Sequence, residues 1–374
     1  MPHVSFYRKW RPQTFEALIG QERVTRTLQN AIRANRVVHA YLFAGHRGTG
    51  KTTTARILAK ALNCQAGPTP EPDNTCPNCQ AISGGYAVDV IEIDAASNRG
   101  IEEVRELRDR IRLAPTEGRY KVYIIDEAHM LTTEAANALL KTLEEPPAHA
   151  VLILVTTEPH RLPPTILSRC QRFDFRRVSQ REIVARLRTI AATEGFQIED
   201  AALTLIAAAA DGSVRDAESI LDQLVSYTEG PIGVADVQAV LGILSADVAL
   251  RLGEALLARD AAAALALAGQ VIDEGKDIRQ VLRTLLDHFR DLLVLKVGAA
   301  ADLLDTTAER LHALHAQAAS VELEEILRAL SILAAAESEV RWSPQMRLLL
   351  EIALLRVCRP EMDPTAEGLR ARLA

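Results

Sequence analysis

Short apolar runs alternate with helical patterns over the first part of the chain, up to about residue 178. The runs at residues 122–125 and 151–155 are apolar throughout, as expected of parallel strands that helices cover on both faces. Between these two runs, Pro146-Pro147 terminates a helical pattern. The alternation predicts an α/β layered domain. The predicted strands are residues 40–44, 88–93, 122–125, 151–155 and 172–175, and the predicted helices include residues 52–62, 101–113 and 133–145.

The pattern changes after Phe175. Residues 179–241 have the pattern of short helices with a turn at Asp211-Gly212-Ser213, and residues 247–358 that of four to six helices rich in Ala and Leu. Neither stretch contains a strand-like run. We therefore predict three domains: an α/β domain over residues 1–178, a small helical domain over 179–242 and an all-helical domain over 243–374.

Charge and cysteine content narrow the class of protein. The 374 residues include 43 Lys and Arg against 49 Asp and Glu, a net charge of -6, which excludes a basic coat protein for nucleic acid. No stretch approaches the roughly 18 apolar residues of a membrane helix, and the first residues lack an apolar signal region. The five cysteines are odd in number and unevenly spread, which suits a reduced compartment. We expect a cytoplasmic protein without a membrane partner.

A glycine-rich segment directly after the first strand fits the phosphate-binding loop at every fixed position. Glycines allow backbone N–H groups to turn toward phosphate oxygens, and the following helix adds its N-terminal dipole. Lys51 is placed to reach the β- and γ-phosphates, and the Thr52 hydroxyl to hold Mg²⁺. The candidate nucleotide-binding residues are Gly45, His46, Arg47, Gly48, Thr49, Gly50, Lys51 and Thr52.

Such a site needs acidic residues at the end of another strand, and Asp126 and Glu127 follow the apolar run 122–125. Asp126 is placed near Mg²⁺, and Glu127 can polarise a water molecule for attack on the γ-phosphate. The two motifs together predict hydrolysis of a nucleoside triphosphate. The letters Asp126-Glu127-Ala128-His129 also spell a helicase box, but such a helicase needs a second α/β domain of about 150 residues. The helical pattern after residue 178 disfavours it.

Three later residues complete the set of candidate catalytic residues. Thr157 follows the strand at 151–155 and places a hydroxyl near the expected γ-phosphate. Arg169 lies in Ser168-Arg169-Cys170, and Arg215 lies at the start of a helix after Gly212-Ser213. Taken singly, Thr157 could be an ordinary strand end and each arginine a surface ion pair.

In combination these motifs resemble the AAA+ clamp-loader family of the bacterial DNA polymerase III holoenzyme. The resemblance is dense from residue 5 to about 222 and weaker in the C-terminal helices. It implies a RecA-like AAA+ P-loop ATPase domain, a helical lid and an all-helical collar that assembles the subunits. Further segments that carry it are Tyr7-Arg8-Lys9-Trp10-Arg11-Pro12, Gly20-Gln21-Glu22, Glu92-Ile93-Asp94-Ala95-Ala96-Ser97 and residues 138–147.

The resemblance also implies an activity and its partners. The expected function is ATP- and Mg²⁺-dependent opening of a sliding clamp and its closure around primer–template DNA. The expected partners are the other clamp-loader subunits in a hetero-oligomeric ring, the clamp, DNA and, indirectly, the polymerase core. Arg215 is expected to order the lid on ATP, and Arg169 to act on ATP of a neighbouring subunit. A non-hydrolysing scaffold subunit and a DNA translocase or branch-migration motor stay open as alternatives.

Two binding sites are less defined. Cys64, Cys76 and Cys79 suit a tetrahedral zinc module inserted at about residues 64–79, but the family's fourth cysteine is replaced by Asp73. A Cys₃Asp site and a metal-free loop with three thiols are both open.

For DNA, the resemblance suggests loops near Ser97-Asn98-Arg99 as contacts. Residues 161–188 also carry eight arginines against two acids, and could face phosphates, a neighbouring subunit or solvent.

Overall fold

The computed structural model describes residues 4–97, 100, 106–107, 110–242, 244, 246–298 and 308–362. The chain divides into two compact units, Met1–Gly233 and Val234–Ala374. The domain boundaries at residues 178 and 242 stay predictions.

The first unit is built on a parallel sheet of five strands in the order β2-β3-β4-β1-β5. The five predicted strands are confirmed, with ends that differ by at most two residues. Because all described strands are parallel, their carboxyl ends lie along one edge of the sheet. The strands are β1 (Ala40–Gly45), β2 (Val90–Asp94), β3 (Lys121–Asp126), β4 (Ala150–Thr156) and β5 (Gln171–Phe175).

Helices cover both faces of this sheet, as the apolar runs require. Tyr41 and Phe43 pack on one face with Leu58, whereas Leu42 packs on the other face with Leu139. Full burial of each such side chain contributes about 1.5–3 kcal/mol, so both layers stabilise the sheet. The helices are α1 (Phe6–Lys9), α2 (Glu22–Arg33), α3 (Lys51–Asn63), α4 (Pro77–Gly84), α5 (Thr133–Glu144), α6 (Pro164–Leu167), α7 (Gln180–Glu194), α8 (Asp200–Ala209) and α9 (Val214–Tyr227).

Helix ends follow from local sequence. A capping box at Ser179 and Glu182 begins α7, and Gly195 in the left-handed conformation ends it. Hydrogen bonds from Arg176 and Ser179 lower the pKa of Glu182 to about 2, so the capping carboxylate is charged at neutral pH. The helix predicted over residues 101–113 falls largely outside the described residues.

The second unit is helical throughout its described part, as the Ala- and Leu-rich pattern predicts. Leu252, Phe289, Leu333 and Leu354 share one fully buried core. No helix in the described ranges is both long and apolar enough to cross a membrane. The helices are α10 (Val234–Leu241), α11 (Ala246–Leu257), α12 (Ala261–Asp273), α13 (Ile278–Lys296), α14 (Ala308–Ala319), α15 (Leu323–Val340) and α16 (Met346–Cys358).

Candidate functional site

The glycine-rich loop joins β1 to α3 at the carboxyl edge of the sheet. Gly48 has a φ of 72°, a conformation that favours glycine, and a Cβ atom at this position would overlap Ser213. The backbone N–H of Val214 also donates to the Gly48 carbonyl at 3.1 Å. The loop therefore has the glycine geometry of a phosphate-binding turn, and the start of α9 lies directly against it.

Lys51 is the first residue of α3, and only 6% of it is exposed. Its ammonium donates to the carbonyls of Gly45 at 2.8 Å and His46 at 2.7 Å. Burial lowers the pKa of Lys51, and the nearby Glu127 and Asp126 carboxylates oppose that shift. An ammonium carries three protons, so one remains for an anion in the loop beyond the two hydrogen bonds described.

The predicted acid pair meets the loop. Asp126 ends β3, and its Oδ2 atom accepts a hydrogen bond from the Thr52 hydroxyl at 2.8 Å. Glu127 follows in the left-handed conformation with a φ of 47°. Such a backbone is uncommon for a residue with a side chain, and strained residues of this kind cluster at functional sites. Beside a phosphate loop, the hydroxyl of such a pair is a suitable direct ligand of Mg²⁺, and the carboxylate can bind the ion through a water molecule.

Thr157 and His129 both contact Glu127. The Thr157 hydroxyl donates to Glu127 Oε2 at 3.1 Å, and His129 Nδ1 lies 3.4 Å from the same oxygen. The buried His129 ring also lies 3.0 Å from the Thr156 hydroxyl and 3.4 Å from Glu158 Oε1. The sequence predicts a Thr157 hydroxyl near the γ-phosphate. For His129 the sequence indicates only the last residue of a helicase-like motif, and its position beside Glu127 was not predicted.

Arg215 borders the same loop from the helical segment. It lines a cavity of about 110 Å³, and its guanidinium lies 4.9 Å from the centre of the Tyr7 ring. Both apolar and cationic side chains line this cavity, a combination suited to a ligand that has an apolar ring and a negative charge. Lining residues include Tyr7, Arg11, Pro12, Leu18, Ile19, Lys51, Thr52, Arg186, Arg215 and Glu218.

Several of these lining residues were not predicted as site residues. Tyr7, Arg11 and Pro12 carried the family resemblance, but nothing in their local pattern placed them beside the loop. Glu218 and Arg186 form a buried ion pair at 3.0 Å. Burial raises the pKa of Glu218 to about 7, and Arg186 opposes that shift. These residues come from distant parts of the sequence, and only the fold brings them together.

Arg169 lies away from this cavity. It precedes β5, whose first residue Gln171 pairs with Tyr41 near the start of β1, whereas the phosphate loop follows the end of β1. The guanidinium donates to Glu144 Oε1 at 2.7 Å and to the Thr165 carbonyl at 2.8 Å. The structure therefore brings together Lys51, Thr52, Asp126, Glu127, Thr157 and Arg215, and leaves Arg169 at the opposite edge of the sheet.

The arginine-rich stretch over residues 161–188 is largely neutralised by acidic partners. Seven of its eight arginines form ion pairs in the structure, and all but the Arg186–Glu218 pair lie at the surface, where such pairs contribute only about 0–1 kcal/mol. Of the suggested DNA contacts, Asn98 and Arg99 lie outside the described residues. The pairs are Arg161–Glu158, Arg169–Glu144, Arg172–Asp174, Arg176–Glu182, Arg177–Asp211, Arg186–Glu218 and Arg188–Asp200.

The three cysteines and Asp73 form one cluster. Their sulfur and carboxylate atoms lie within 4.8 Å of one another, and the three sulfur-bearing residues are buried. A tetrahedral ion with bonds of about 2.0–2.3 Å holds its ligand atoms about 3.3–3.8 Å apart, so a small closure suffices. Burial raises the pKa of the Cys79 thiol, and a bound cation would oppose that shift. The donor set fits a divalent ion.

Comparison with known proteins assigns each part of the chain. The family model of the DNA polymerase III delta subunit matches residues 20–179. The model of the clamp-loader ATPase lid domain matches residues 182–230, and that of domain III of the gamma and tau subunits matches residues 232–371. The fold is thus a RecA-like AAA+ ATPase domain with a helical lid and a helical C-terminal region.

Curated relatives cover nearly the whole chain. The *Bacillus subtilis* DNA polymerase III subunit tau is 41% identical over 367 residues, which are 98% of this chain and 65% of that protein. The *Escherichia coli* subunit tau is 41% identical over 93% of this chain and 54% of its own length. This chain therefore spans between about half and two thirds of these tau subunits.

One solved structure is similar in part of its fold. The RuvB branch migration motor of Thermotoga maritima has a TM-score of 0.48 at 20% identity, over 81% of this chain and 90% of that chain. Likeness at this level says nothing about function.

A shorter relative matches over nearly its whole length. The DNA polymerase III subunit gamma of Buchnera aphidicola is 37% identical over 96% of this chain and 97% of its own length. On these matches, the chain belongs to the gamma/tau family of DNA polymerase III subunits.

Proposed function

We propose that this chain is an ATP-hydrolysing clamp-loader subunit of the DNA polymerase III holoenzyme, which opens a sliding clamp and closes it around primed DNA. The observation that carries the proposal is the contact of Thr52 with Asp126 beside that of Thr157 with Glu127. The two contacts lie at one edge of the sheet and link the glycine-rich loop, both acids and the Thr157 hydroxyl, which supports the proposal. The chain itself does not polymerise DNA. Its partners are the other subunits of the loader ring, the clamp, primer–template DNA and, indirectly, the polymerase core.

Each residue has a defined task in hydrolysis. Lys51 and the loop N–H groups neutralise the phosphate charge, and Thr52 and Asp126 would hold Mg²⁺, which would shield that charge further. Glu127 orients a water molecule and accepts its proton, and the Thr157 hydroxyl, which donates to Glu127 in the structure, turns its one proton to the γ-phosphate when ATP is bound. Arg215 contacts the phosphates from the lid, so ATP draws the lid onto the α/β domain and hydrolysis releases it.

A helicase, a non-hydrolysing scaffold and a DNA translocase would each have different features from a clamp-loader ATPase. A helicase of the kind suggested by the Asp126–His129 letters needs a second α/β domain, whereas the described residues after Phe175 form helices. A non-hydrolysing scaffold has no use for the complete set of Lys51, Thr52, Asp126 and Glu127. A translocase or branch-migration motor unwinds DNA without a clamp, whereas a loader needs clamp and primer–template for full ATP turnover.

Glu127→Gln is expected to bind ATP normally and to hydrolyse it about 10²–10⁴-fold more slowly, because the amide cannot accept a proton from water. Steady-state ATPase assays with clamp and primed DNA, together with equilibrium ATP binding, measure the two effects. Glu134→Gln makes the same chemical change on the exposed first turn of α5 and should leave turnover unchanged. Equal turnover of Glu127→Gln and wild type would remove Glu127 as the base, whereas a wild-type chain that turns over no ATP with clamp and primed DNA would contradict the proposed hydrolysis.

We also propose that Cys64, Asp73, Cys76 and Cys79 bind one structural Zn²⁺. The fold already places these residues: Cys64 caps the end of α3, and Cys76 precedes Pro77 at the start of α4. Asp73 Oδ1 accepts hydrogen bonds from the backbone of Thr75 and Cys76, each at 3.1 Å, which fixes the carboxylate toward the thiols. All five cysteines are free in the structure, which suits the reducing cytoplasm that we propose as the site of action.

The purified chain is therefore expected to contain about one zinc per molecule, the stoichiometry of tetrahedral structural sites. Elemental analysis after dialysis gives the metal content. Cys76→Ser should lose the metal, whereas Cys170→Ser, which changes a cysteine outside the cluster, should keep it. Zinc loss should lower the thermal unfolding temperature more than the ATPase rate, because the module lies away from the phosphate loop. A metal-free wild-type chain would overturn the assignment.

A further inference from the structure

Lys60 is a buried cation on the inner face of α3, and only 1% of it is exposed. Its ammonium donates three hydrogen bonds: to the Gln13 carbonyl and Gln13 Oε1 at 2.8 Å each, and to Asn74 Oδ1 at 2.6 Å. All three acceptors are neutral. Within the described ranges the structure gives Lys60 no ion pair with a carboxylate.

A buried charge with neutral acceptors only is costly, because hydrogen bonds replace part of the lost hydration but leave the net charge uncompensated. Buried lysines are therefore paired with an anion in most proteins. The cysteine cluster adjoins this hydrogen-bond network. Asn74, which accepts one of the hydrogen bonds, lies in the loop between Asp73 and Cys76. Burial lowers the pKa of Lys60, and negative charge at Cys79 opposes that shift.

The charge of the loaded metal site explains this arrangement. Three thiolates and one carboxylate contribute four negative charges, and a divalent ion contributes two positive charges, so the occupied site carries a net charge of about −2. Such a site is itself costly to bury. One ammonium beside it halves the excess charge, and the excess charge in turn compensates the ammonium.

We propose that Lys60 is the counter-cation of the metal site, and that Lys60 and the bound metal stabilise each other inside the fold. The proposal rests on the zinc site proposed above. It makes Lys60 a positioning residue that does not touch the metal: it holds the loop through Asn74 and lowers the electrostatic cost of gathering four anionic ligands. Through Gln13 it also ties the metal module to the segment next to Pro12, which lines the nucleotide cavity.

Arg119 provides a matched comparison. Its guanidinium also approaches the cluster, donating to the Cys64 carbonyl at 2.6 Å and the Gln65 carbonyl at 3.2 Å, but Arg119 is exposed. Water screens the charge of an exposed group, so its effect on the metal should be much smaller. Comparing variants of Lys60 and Arg119 therefore separates the effect of a buried charge from that of a charge that is only close to the cluster.

The test is a cycle of two changes in the full-length chain, Lys60→Met and removal of zinc. Competition with a chromophoric chelator measures zinc affinity, and we expect Lys60→Met to bind zinc about 10–100-fold more weakly, the range for partners outside the ligand set. Arg119→Met should stay close to wild type. In thermal unfolding, Lys60→Met should lower the midpoint of the zinc-loaded chain and raise that of the chelated chain, where the ammonium loses the charge of the loaded site.

Lys60→Gln repeats both measurements with a side chain that keeps hydrogen-bond donors without the charge, should Lys60→Met fail to fold. A purely structural role would lower both midpoints equally and leave zinc affinity unchanged, and that result would overturn the proposal. The two proposals fail in different ways. A wild-type chain without zinc removes the metal site, whereas a zinc-binding wild type with unaltered Lys60 variants removes only the role of Lys60.

Discussion

Lys51→Ala is expected to abolish ATP binding and, with it, all hydrolysis. The Lys51 ammonium is buried at the base of the loop and spans the carbonyls of Gly45 and His46. Without it, a triphosphate entering the loop meets two carbonyl oxygens and the nearby carboxylates of Asp126 and Glu127 with no cation between them. In a buried site that repulsion is weakly screened. Fluorescence anisotropy of a labelled ATP analogue measures the loss directly.

Loss of binding by Lys51→Ala has to be distinguished from loss of the fold. Burial lowers the pKa of Lys51, which means that the charged form is disfavoured in the folded chain, so its removal should cost little stability. We expect a thermal unfolding midpoint near that of wild type. Lys141→Ala, an exposed lysine in the last turn of α5, should leave binding unchanged. Near wild-type affinity in folded Lys51→Ala would refute the phosphate-loop assignment.

The sheet and the centre of the site could be predicted because their determinants are local. The apolar runs that became β1, β3 and β4 are buried on both faces, and their short length distinguishes them from a buried helix. Parallel strands end at one edge, so a loop after β1, an acid pair after β3 and a threonine after β4 all lie there. They meet because β3, β4 and β1 are neighbours in the sheet, an order that the local pattern does not encode.

The rest of the site depends on contacts that no local pattern encodes. Tyr7 reaches Arg215 across about two hundred residues of sequence, and the pattern around each is that of an ordinary exposed helix end. Lys60 lies in a helix where lysine usually marks the solvent side, yet the N-terminal segment and the metal loop both cover it. Such contacts depend on how the layers of the domain pack. The contacting residues are far apart in the sequence, so no local periodicity indicates them.

Arg169, which we predict to act in catalysis, lies far from its own chain's nucleotide cavity. The phosphate loop follows the end of β1, whereas Arg169 lines a groove with Ala40 at the start of that strand. The guanidinium cannot serve both edges of one sheet. Its ion pair with Glu144 is partly exposed, with 34% and 50% of the two side chains accessible, and such surface pairs contribute only about 0–1 kcal/mol. Arg169 can therefore exchange this partner for one on a neighbouring subunit at little cost.

Arg169→Ala is accordingly expected to leave ATP binding by the isolated chain intact and to reduce clamp- and DNA-stimulated hydrolysis by about 10³-fold or more, the effect of an arginine supplied in trans. Arg172→Ala removes a neighbouring arginine that also forms a surface ion pair and should have little effect. ATPase assays on the assembled loader, with equilibrium binding on the isolated chain, measure both quantities. Loss of ATP binding by isolated Arg169→Ala would contradict a role in trans.

Mixing two inactive variants gives the decisive test of that role. Arg169→Ala chains keep an intact Lys51 site but supply no arginine, and Lys51→Ala chains supply the arginine but bind no ATP. In mixed assemblies, some interfaces pair an intact Lys51 site with an intact Arg169 from the other chain, so hydrolysis should return there. An arginine acting within its own chain predicts no recovery, because every chain then lacks one essential group. If mass measurement confirms mixed assemblies and they stay as inactive as either variant alone, Arg169 is a structural ion-pair partner of Glu144 and nothing more.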